Sequence, residues 1–264
     1  MDLFGPSRTM SLGGNLYALV TVDDFSRYTW TLFLAAKNDT FHVFKRLAKM
    51  LENEKSSKIV SIRSDHGGEF QNERFEHFCE KHGIKHNFSA PRTPQKNGVV
   101  ERKNMSLEEL ARTMINENSL PKYFWADVVN IACYVLNRVL IRPILKKTTP
   151  YEPFKWRRPV LSHLKVFGCK CFILNNDKES LGKFDAKADE GFFLGYATQS
   201  HAYRVYNKRL MTVEESMHVI FDESNPKLQD HVPKIADEEE TTLEKKSAAE
   251  LKSAARNKSV EKEI

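Results

Sequence analysis

The sequence predicts an α/β protein in which a mixed five-stranded sheet flanked by helices precedes a small β-barrel and a disordered tail. The first part is predicted because apolar, β-prone runs alternate with helical spacing in the order β-β-β-α-β-α-β-α. From residue 164 the pattern changes to short strands separated by turns. After residue 224 the chain is rich in Glu, Lys, Ser and Ala and poor in aromatic residues, which is typical of disorder.

Length, cysteine content and charge narrow the class of protein. The 264 residues, 41% of them hydrophobic, are enough to bury a core. We find no signal peptide, no secreted cysteine framework and no apolar run of the roughly 20 residues that a membrane helix needs, so we expect an intracellular protein. Residues 1–221 carry 33 Lys and Arg against 24 Asp and Glu, a net charge of +9. This charge favours a polyanionic partner, although a soluble basic protein without one would have the same composition.

The first three strands are predicted from apolar runs separated by turn residues. An opening strand ends at Gly5-Pro6, a second strand covers residues 16–22, and a third covers residues 28–34. The second and third runs are apolar on both faces, as is typical of central strands covered by helices. Asp23 and Asp24 lie between these strands, and we interpret them as turn residues rather than metal ligands.

The following segment predicts two helix–strand units. Apolar residues at helical spacing predict a helix over 41–51, and the apolar run 58–64 predicts the next strand. A second helix is predicted over 72–82, where Gly83 ends it, and residues 84–88 form the fifth strand. These units complete the sheet and place helices on its faces.

Three carboxylates are positioned by this order of elements. Asp65 follows a strand and precedes two glycines, so it lies where a buried strand ends in a turn. Glu101 follows after 35 intervening residues and opens a helical pattern, while Asp2 points out of the opening strand. Neighbouring carboxylates repel unless a divalent cation neutralises them, and hard oxygen ligands suit Mg²⁺ or Mn²⁺.

Ordered motifs around these carboxylates resemble those of one family. Asp2 in DLFGPSRTM, Asp65 in SDHGGEF and Glu101 in PQKNGVVERKN are similar to the D,D-35-E core of integrases, most closely those of copia-type long-terminal-repeat retrotransposon Pol polyproteins. The phrase GFFLGY is similar to the same family, so the resemblance covers roughly residues 2–224. Several ordered motifs are far more specific than one. The resemblance implies a ribonuclease-H-like mixed sheet followed by an SH3-like β domain.

The resemblance also implies the chemistry. Members of this family are DDE-type polynucleotidyl transferases and endonucleases that process the 3′ ends of element DNA and transfer them into target DNA. Asp2, Asp65 and Glu101 would be the catalytic residues and would hold two Mg²⁺ or Mn²⁺ ions.

Domain limits and partners are expected from the same resemblance. Residues 1–157 would form the catalytic core with its C-terminal helices, residues 164–224 the SH3-like domain, and residues 225–264 a charged, disordered linker. The expected partners are element ends, target DNA and further copies of the chain, with no membrane and no small-molecule substrate. The expected location is the nucleus or a cytoplasmic retrotransposon particle.

The loop before Glu101 and the helix that follows are predicted to contact DNA. The loop mixes prolines and a glycine with basic and amide side chains, which favours DNA contact over a plain surface loop. The resemblance implies that the first turns of the helix face DNA ends; this sequence departs at Met105, where relatives tend to carry a basic residue. The predicted DNA-binding residues are Arg92, Gln95, Lys96, Asn97, Arg102, Lys103 and Asn104.

Two other functional interpretations remain open. A ribonuclease-H-like nuclease acting on RNA in a hybrid would have the same fold, but the 35-residue spacing and the PQKNGVVER loop disfavour it. A catalytically weak or inactive fragment could act as a nucleic-acid-binding or assembly module. The strand that carries Asp2 extends further back in the family, so we expect Asp2, with only Met1 before it, to be held less firmly.

A zinc site is the disfavoured alternative to the carboxylate site. The candidate ligands are His77, Cys79, His82 and His86. His77 and Cys79 lie two residues apart on a predicted helix and therefore point to different faces, whereas His86 lies on the next strand.

Overall fold

The computed structural model describes residues 1–89, 97–142, 147–175, 182–184, 186–197 and 200–223. The described elements all belong to one unit, Met1–Leu228. The predicted tail, 225–264, and part of the predicted DNA-binding loop lie outside the described residues.

Strands and helices alternate through the first part of the chain. In order they are β1 (Asp2–Phe4), β2 (Tyr17–Val22), β3 (Thr29–Leu34), α1 (Thr40–Lys55), β4 (Ser61–Ser64), α2 (Glu73–His82), β5 (Lys85–Phe88), α3 (Gly98–Glu117), α4 (Trp125–Val139) and α5 (Tyr151–Lys155). Short 3₁₀ turns at Lys37–Asp39 and Lys122–Phe124 precede α1 and α4. The predicted order of elements is confirmed.

The sheet combines antiparallel and parallel pairing. β1, β2 and β3 pair antiparallel in that order, and β4 pairs parallel with β5. β1 is three residues long, and the amine of Met1 donates a hydrogen bond of 2.6 Å to the Arg63 carbonyl oxygen of β4. The predicted mixed sheet is therefore present as two ladders that adjoin at this hydrogen bond, because β1 is too short to form a longer ladder with β4.

A cluster of aromatic rings fills the core between the sheet and the first two helices. α2 begins where the Asn72 side chain accepts a hydrogen bond from the Phe75 amide, and it ends at Gly83, whose φ of 67° a glycine adopts without strain. The rings that pack together there belong to Phe41, Phe44, Phe70, Phe75 and Phe78. The opposite face of the sheet is covered by α3 and α4, which bury Val20, Leu107 and Cys133.

The C-terminal strands form a second sheet. They are β6 (Lys170–Leu174), β7 (Ala188–Tyr196), β8 (Tyr203–Asn207), β9 (Thr212–Ser216) and β10 (Val219–Asp222). All pairs are antiparallel, in the order β10-β6-β7-β8-β9. Gly191 of β7 lies so close to β8 that a Cβ atom there would overlap the Tyr206 carbonyl oxygen. The predicted small β domain is thus a five-stranded sheet, and no described pairing joins β9 to β10.

Helix α4 connects the two sheets. The Asp127 carboxylate accepts a hydrogen bond of 2.9 Å from the Arg204 guanidinium of β8. The buried Phe124 ring packs edge-to-face on Phe192 and Tyr206 of the second sheet. Among the described residues, we find no helix with the length and apolar character required to span a bilayer.

Candidate active site

Asp2 lies at the centre of the candidate site. Its Oδ2 accepts a hydrogen bond of 2.6 Å from Asn104 Nδ2, across from α3. Burial raises the pKa of the Asp2 carboxyl, and the negative charge of Asp65 and, to a smaller extent, Glu101 raises it further, whereas the N-terminal amine opposes this change. The fold therefore brings Asp2, Asp65 and Glu101 close enough for their charges to repel.

Asp65 is held at the carboxyl end of β4. One of its carboxylate oxygens accepts a hydrogen bond of 3.2 Å from the Gly67 amide, which fixes the start of the following turn. The preceding Ser64 is fully buried, and its hydroxyl lies 2.9 Å from both the Asp65 carbonyl oxygen and His86 Nε2 of β5. Burial, aided by the N-terminal amine, lowers the pKa of His86 to about 4, so the ring is neutral at pH 7. This support from Ser64 and His86 is not visible in the sequence, because it depends on the parallel pairing of β4 with β5.

Glu101 occupies the first turn of α3, which begins at Gly98 rather than at Glu101 itself. Asn104 follows one turn later, and this spacing places its side chain on the same side of the helix as Glu101. Asn104 is buried, and its Oδ1 atom has no hydrogen-bond partner within the described part of the chain. Residue spacing alone could have identified Asn104 as a neighbour of the carboxylates.

The predicted DNA-binding residues fall into three groups. Arg92, Gln95 and Lys96 lie outside the described residues. Arg102 is exposed, as expected for a DNA contact. The remaining three predicted contacts, which are Asn97, Lys103 and Asn104, are buried and so do not form the exposed surface that the sequence analysis expects.

Lys103 departs furthest from its predicted role. Its side chain is 3% exposed, and its Nζ atom has no hydrogen-bond partner among the described residues. Burial lowers the pKa of Lys103 to about 8. The physical reason for this placement is helical spacing, because Lys103 lies three residues after the buried Val100 and four before the buried Leu107, on the inner face of α3.

The donor atoms suit a hard divalent cation. Asp2, Asp65 and Glu101 supply carboxylate oxygens, Asn104 Oδ1 has no hydrogen-bond partner among the described residues, and Mg²⁺ and Mn²⁺ prefer oxygen ligands. Within the described ranges, no three His, Cys, Asp or Glu side chains stand close enough to form a ready metal cage. The carboxylates are thus near one another without being arranged as ligands.

The side chains considered for zinc lie apart. His77 is exposed on α2, whereas Cys79 is buried in the aromatic core. His82 lies 4.4 Å from the Phe78 ring, measured between ring centroids, and His86 is engaged by Ser64.

Two family models match the chain. Residues 1–94 match the integrase core domain, and residues 169–234 match the retroviral polymerase SH3-like domain. The chain is 38% identical over 223 residues to the retrovirus-related Pol polyprotein from transposon TNT 1-94 of Nicotiana tabacum, covering 84% of this chain and 17% of that protein. It is 35% identical over 208 residues to the Pol polyprotein from transposon RE1 of Arabidopsis thaliana, covering 79% of this chain and 14% of that protein. The chain therefore spans about a sixth of the length of these curated relatives.

Solved structures give weaker likenesses. The simian T-cell lymphotropic virus intasome in complex with PP2A regulatory subunit B56 gamma aligns with a TM-score of 0.47 and 15% identity, covering 82% of this chain and 78% of that chain. The HTLV-2 integrase catalytic core domain in complex with magnesium aligns with a TM-score of 0.41 and 23% identity, covering 52% of this chain and 83% of that chain.

Proposed function

We propose that this chain, which carries an integrase core domain and a retroviral polymerase SH3-like domain as copia-type Pol polyproteins do, is the catalytic part of a retrotransposon integrase. It would act as a DDE-type polynucleotidyl transferase on the 3′ ends of element DNA and join them to target DNA. The observation that carries the proposal is the match of residues 1–94 to the integrase core domain. The hydrogen bond of 2.6 Å between Asn104 and Asp2 supports it, because it ties Asp2 to α3, the helix that carries Glu101.

Asp2, Asp65 and Glu101 would hold two Mg²⁺ or Mn²⁺ ions. When bound, such ions supply charge neutralisation, activation of the attacking oxygen and stabilisation of the leaving oxygen. Asn104 orients Asp2 through its hydrogen bond, and the Gly67 amide orients Asp65. These residues position the carboxylates, and no side chain of the protein is needed as a nucleophile.

The partners of the proposed enzyme are element ends and target DNA, together with further copies of the chain. The net charge of +9 on residues 1–221 supports a polyanionic partner, and affinity carried by that charge falls steeply with salt. A nuclear location or a cytoplasmic retrotransposon particle is consistent with this role.

A non-catalytic nucleic-acid-binding or assembly module is the second candidate. One observation favours it, because the three carboxylates are not arranged as a ready metal cage among the described residues. The two candidates differ in a single measurable property, which is divalent-dependent chemistry.

A strand-transfer assay with Mg²⁺ and terminal-repeat DNA tests the proposal. We expect Asp65→Asn and Glu101→Gln to reduce transfer roughly a hundredfold or more with little change in melting temperature, because each removes a charge without changing side-chain volume. Asp23→Asn is the matched control and should retain activity, since Asp23 accepts hydrogen bonds from Ser26 in a turn. DNA binding without transfer in the unmodified chain would favour the non-catalytic module, and cleavage of a hybrid's RNA strand would favour a different nuclease.

A further inference from the structure

Trp156 is unusually exposed for its residue type. Its side chain follows α5, and the residue is 81% exposed. Its backbone lies in the left-handed region, with φ of 56° and ψ of 27°, where its amide donates a hydrogen bond to the Glu152 carbonyl oxygen and ends the helix. Glycine usually occupies this position because a side chain there is strained, and a bulky residue is a clear outlier.

The indole of Trp156 contributes no ring packing or hydrogen bond to the fold among the described residues. Exposed apolar surface and a left-handed backbone each carry a free-energy cost, and such costs persist where the residue has a function. Trp156 makes no ring contact or hydrogen bond by its side chain among the described residues. No contact among the described residues therefore accounts for the exposed indole.

The segment beneath Trp156 is firmly anchored. Phe154 stacks on Tyr28 at 4.5 Å and meets Trp30 edge-to-face at 5.0 Å, both measured between ring centroids. The ammonium group of Lys55 lies over the Phe154 ring and donates a hydrogen bond to its carbonyl oxygen. The indole is thus presented from a fixed helix end, which limits the entropy lost on binding.

Two exposed guanidinium groups follow the indole directly. Arg157 and Arg158 are both exposed, and no carboxylate of the described residues pairs with either. The neighbouring Lys155 is instead committed to Glu54 at 2.5 Å. The Arg157 guanidinium lies 6.0 Å from the centroid of the Tyr151 ring, a contact that leaves its charge unneutralised. An exposed aromatic face beside two such cations suits a base that stacks and two phosphates that flank it.

We propose that Trp156, Arg157 and Arg158 bind a single-stranded stretch of DNA. A duplex hides the faces of its bases, so an exposed indole can stack only on an unpaired base, while the two arginines bind the adjoining phosphates. This proposal rests on the proposed function and deepens it, since it names an unpaired segment as a form of DNA that the chain binds.

Binding of a labelled oligothymidylate, followed by fluorescence anisotropy in EDTA on the Asp65→Asn background, tests the proposal. Trp156→Gly should weaken binding roughly fivefold or more, whereas Trp156→Phe should retain most of the affinity. The Trp156→Gly variant should have an equal or higher melting temperature, because glycine tolerates the left-handed backbone. If Trp156→Gly loses affinity while its melting temperature is unchanged or higher, the loss reflects recognition of the oligothymidylate and not misfolding.

A second pair of variants tests the phosphate contacts. Arg157→Ala with Arg158→Ala should reduce the slope of log affinity against log salt by about 1.4 for a single strand. Lys45→Ala with Arg46→Ala removes the same charge from the exposed face of α1 and should leave the slope almost unchanged. Equal slopes in the two double variants would overturn the assignment of these phosphate contacts.

Two outcomes would overturn the proposal as a whole. One is unchanged oligothymidylate affinity in Trp156→Gly, and the other is an equal loss of duplex and single-strand affinity. A changed sedimentation coefficient without a change in DNA affinity would instead assign the indole, with the exposed Val160 and Leu161, to a protein interface. Because the assay uses no metal and an inactive background, failure of the proposed chemistry does not affect its result.

Discussion

Two regions of the molecule bring distant parts of the chain together. They differ in whether the charges that meet there are opposite or alike. Where α4 meets the second sheet, Asp127 and Arg204 bring opposite charges together at 2.9 Å. Phe124 fills the space beside them against Phe192 and Tyr206. At this junction charges are paired and apolar surface is buried, as in an ordinary structural contact.

Around Asp2, like charges meet instead of opposite ones. Burial and the like charges of Asp65 and Glu101 raise the pKa of Asp2. Three residues at and just before the start of α3 leave buried polar atoms without partners among the described residues. These atoms are Asn97 Nδ2, Lys103 Nζ and Asn104 Oδ1. Buried polar atoms without a partner among the described residues occur in both regions, because Tyr123 Oη and Trp125 Nε1 lie next to Phe124. The two regions differ instead in the charges that meet, which are opposite at Asp127 and Arg204 and alike at Asp2. Paired opposite charges are typical of a structural contact, whereas like charges brought together are typical of a binding site.

The largest expected change in the free energy of unfolding comes from removing the Phe124 ring, which fills the contact between the start of α4 and the second sheet. Phe124→Ala should lower the free energy of unfolding by about 3–5 kcal/mol, because the buried ring leaves a cavity between α4 and the second sheet. Urea denaturation followed by circular dichroism measures it. Phe184→Ala is the control, since Phe184 is 95% exposed and its truncation should have almost no effect. Equal losses in both variants would contradict a structural role for this junction.

A change of opposite sign in the free energy of unfolding is expected at Lys103, on the inner face of α3. Lys103→Met should raise the free energy of unfolding by about 1–3 kcal/mol, because an apolar side chain of similar length replaces a buried ammonium group that lacks a partner. Lys49→Met removes an exposed ammonium group from α1 and should change stability little. Destabilisation by Lys103→Met would show that the ammonium group has a favourable partner in the folded protein.

The smallest expected effect concerns His86 and pH. Its pKa is lowered to about 4 in the folded chain, so between pH 6.5 and 4 the unfolded chain binds a proton that the folded chain does not. Stability should therefore fall as pH drops through this range, by roughly 1 kcal/mol after allowance for solvent screening, and stay constant above it. In His86→Asn this contribution should vanish, which thermal melts at several pH values would detect; an unchanged pH profile would exclude His86 as its source.

Local patterns predicted the elements of this chain well. The helix over 72–82 and its end at Gly83 were predicted from the sequence, and α2 covers Glu73–His82 and ends at Gly83 in the structure. The hydrogen bond between Met1 and Arg63, at which the two ladders adjoin, could not be predicted from the sequence. The pairing of distant strands depends on chain geometry rather than on local spacing.

The candidate site was predicted less evenly. Spacing identified the carboxylates that influence Asp2, but residue type misled the interpretation of Lys103, because a lysine in a basic run is usually exposed. Its spacing from Val100 and Leu107 already placed it on the inner face of α3. Periodicity was in this case a better guide than polarity.

The close approach of Gly191 to β8 has a consequence for comparing related sequences. Most substitutions on an exposed surface change stability little and leave a chain foldable. At Gly191 any side chain would push β7 and β8 apart, since its Cβ would overlap the Tyr206 carbonyl oxygen. The residue at this one position would therefore help to separate related sequences that can form this C-terminal sheet from those that cannot.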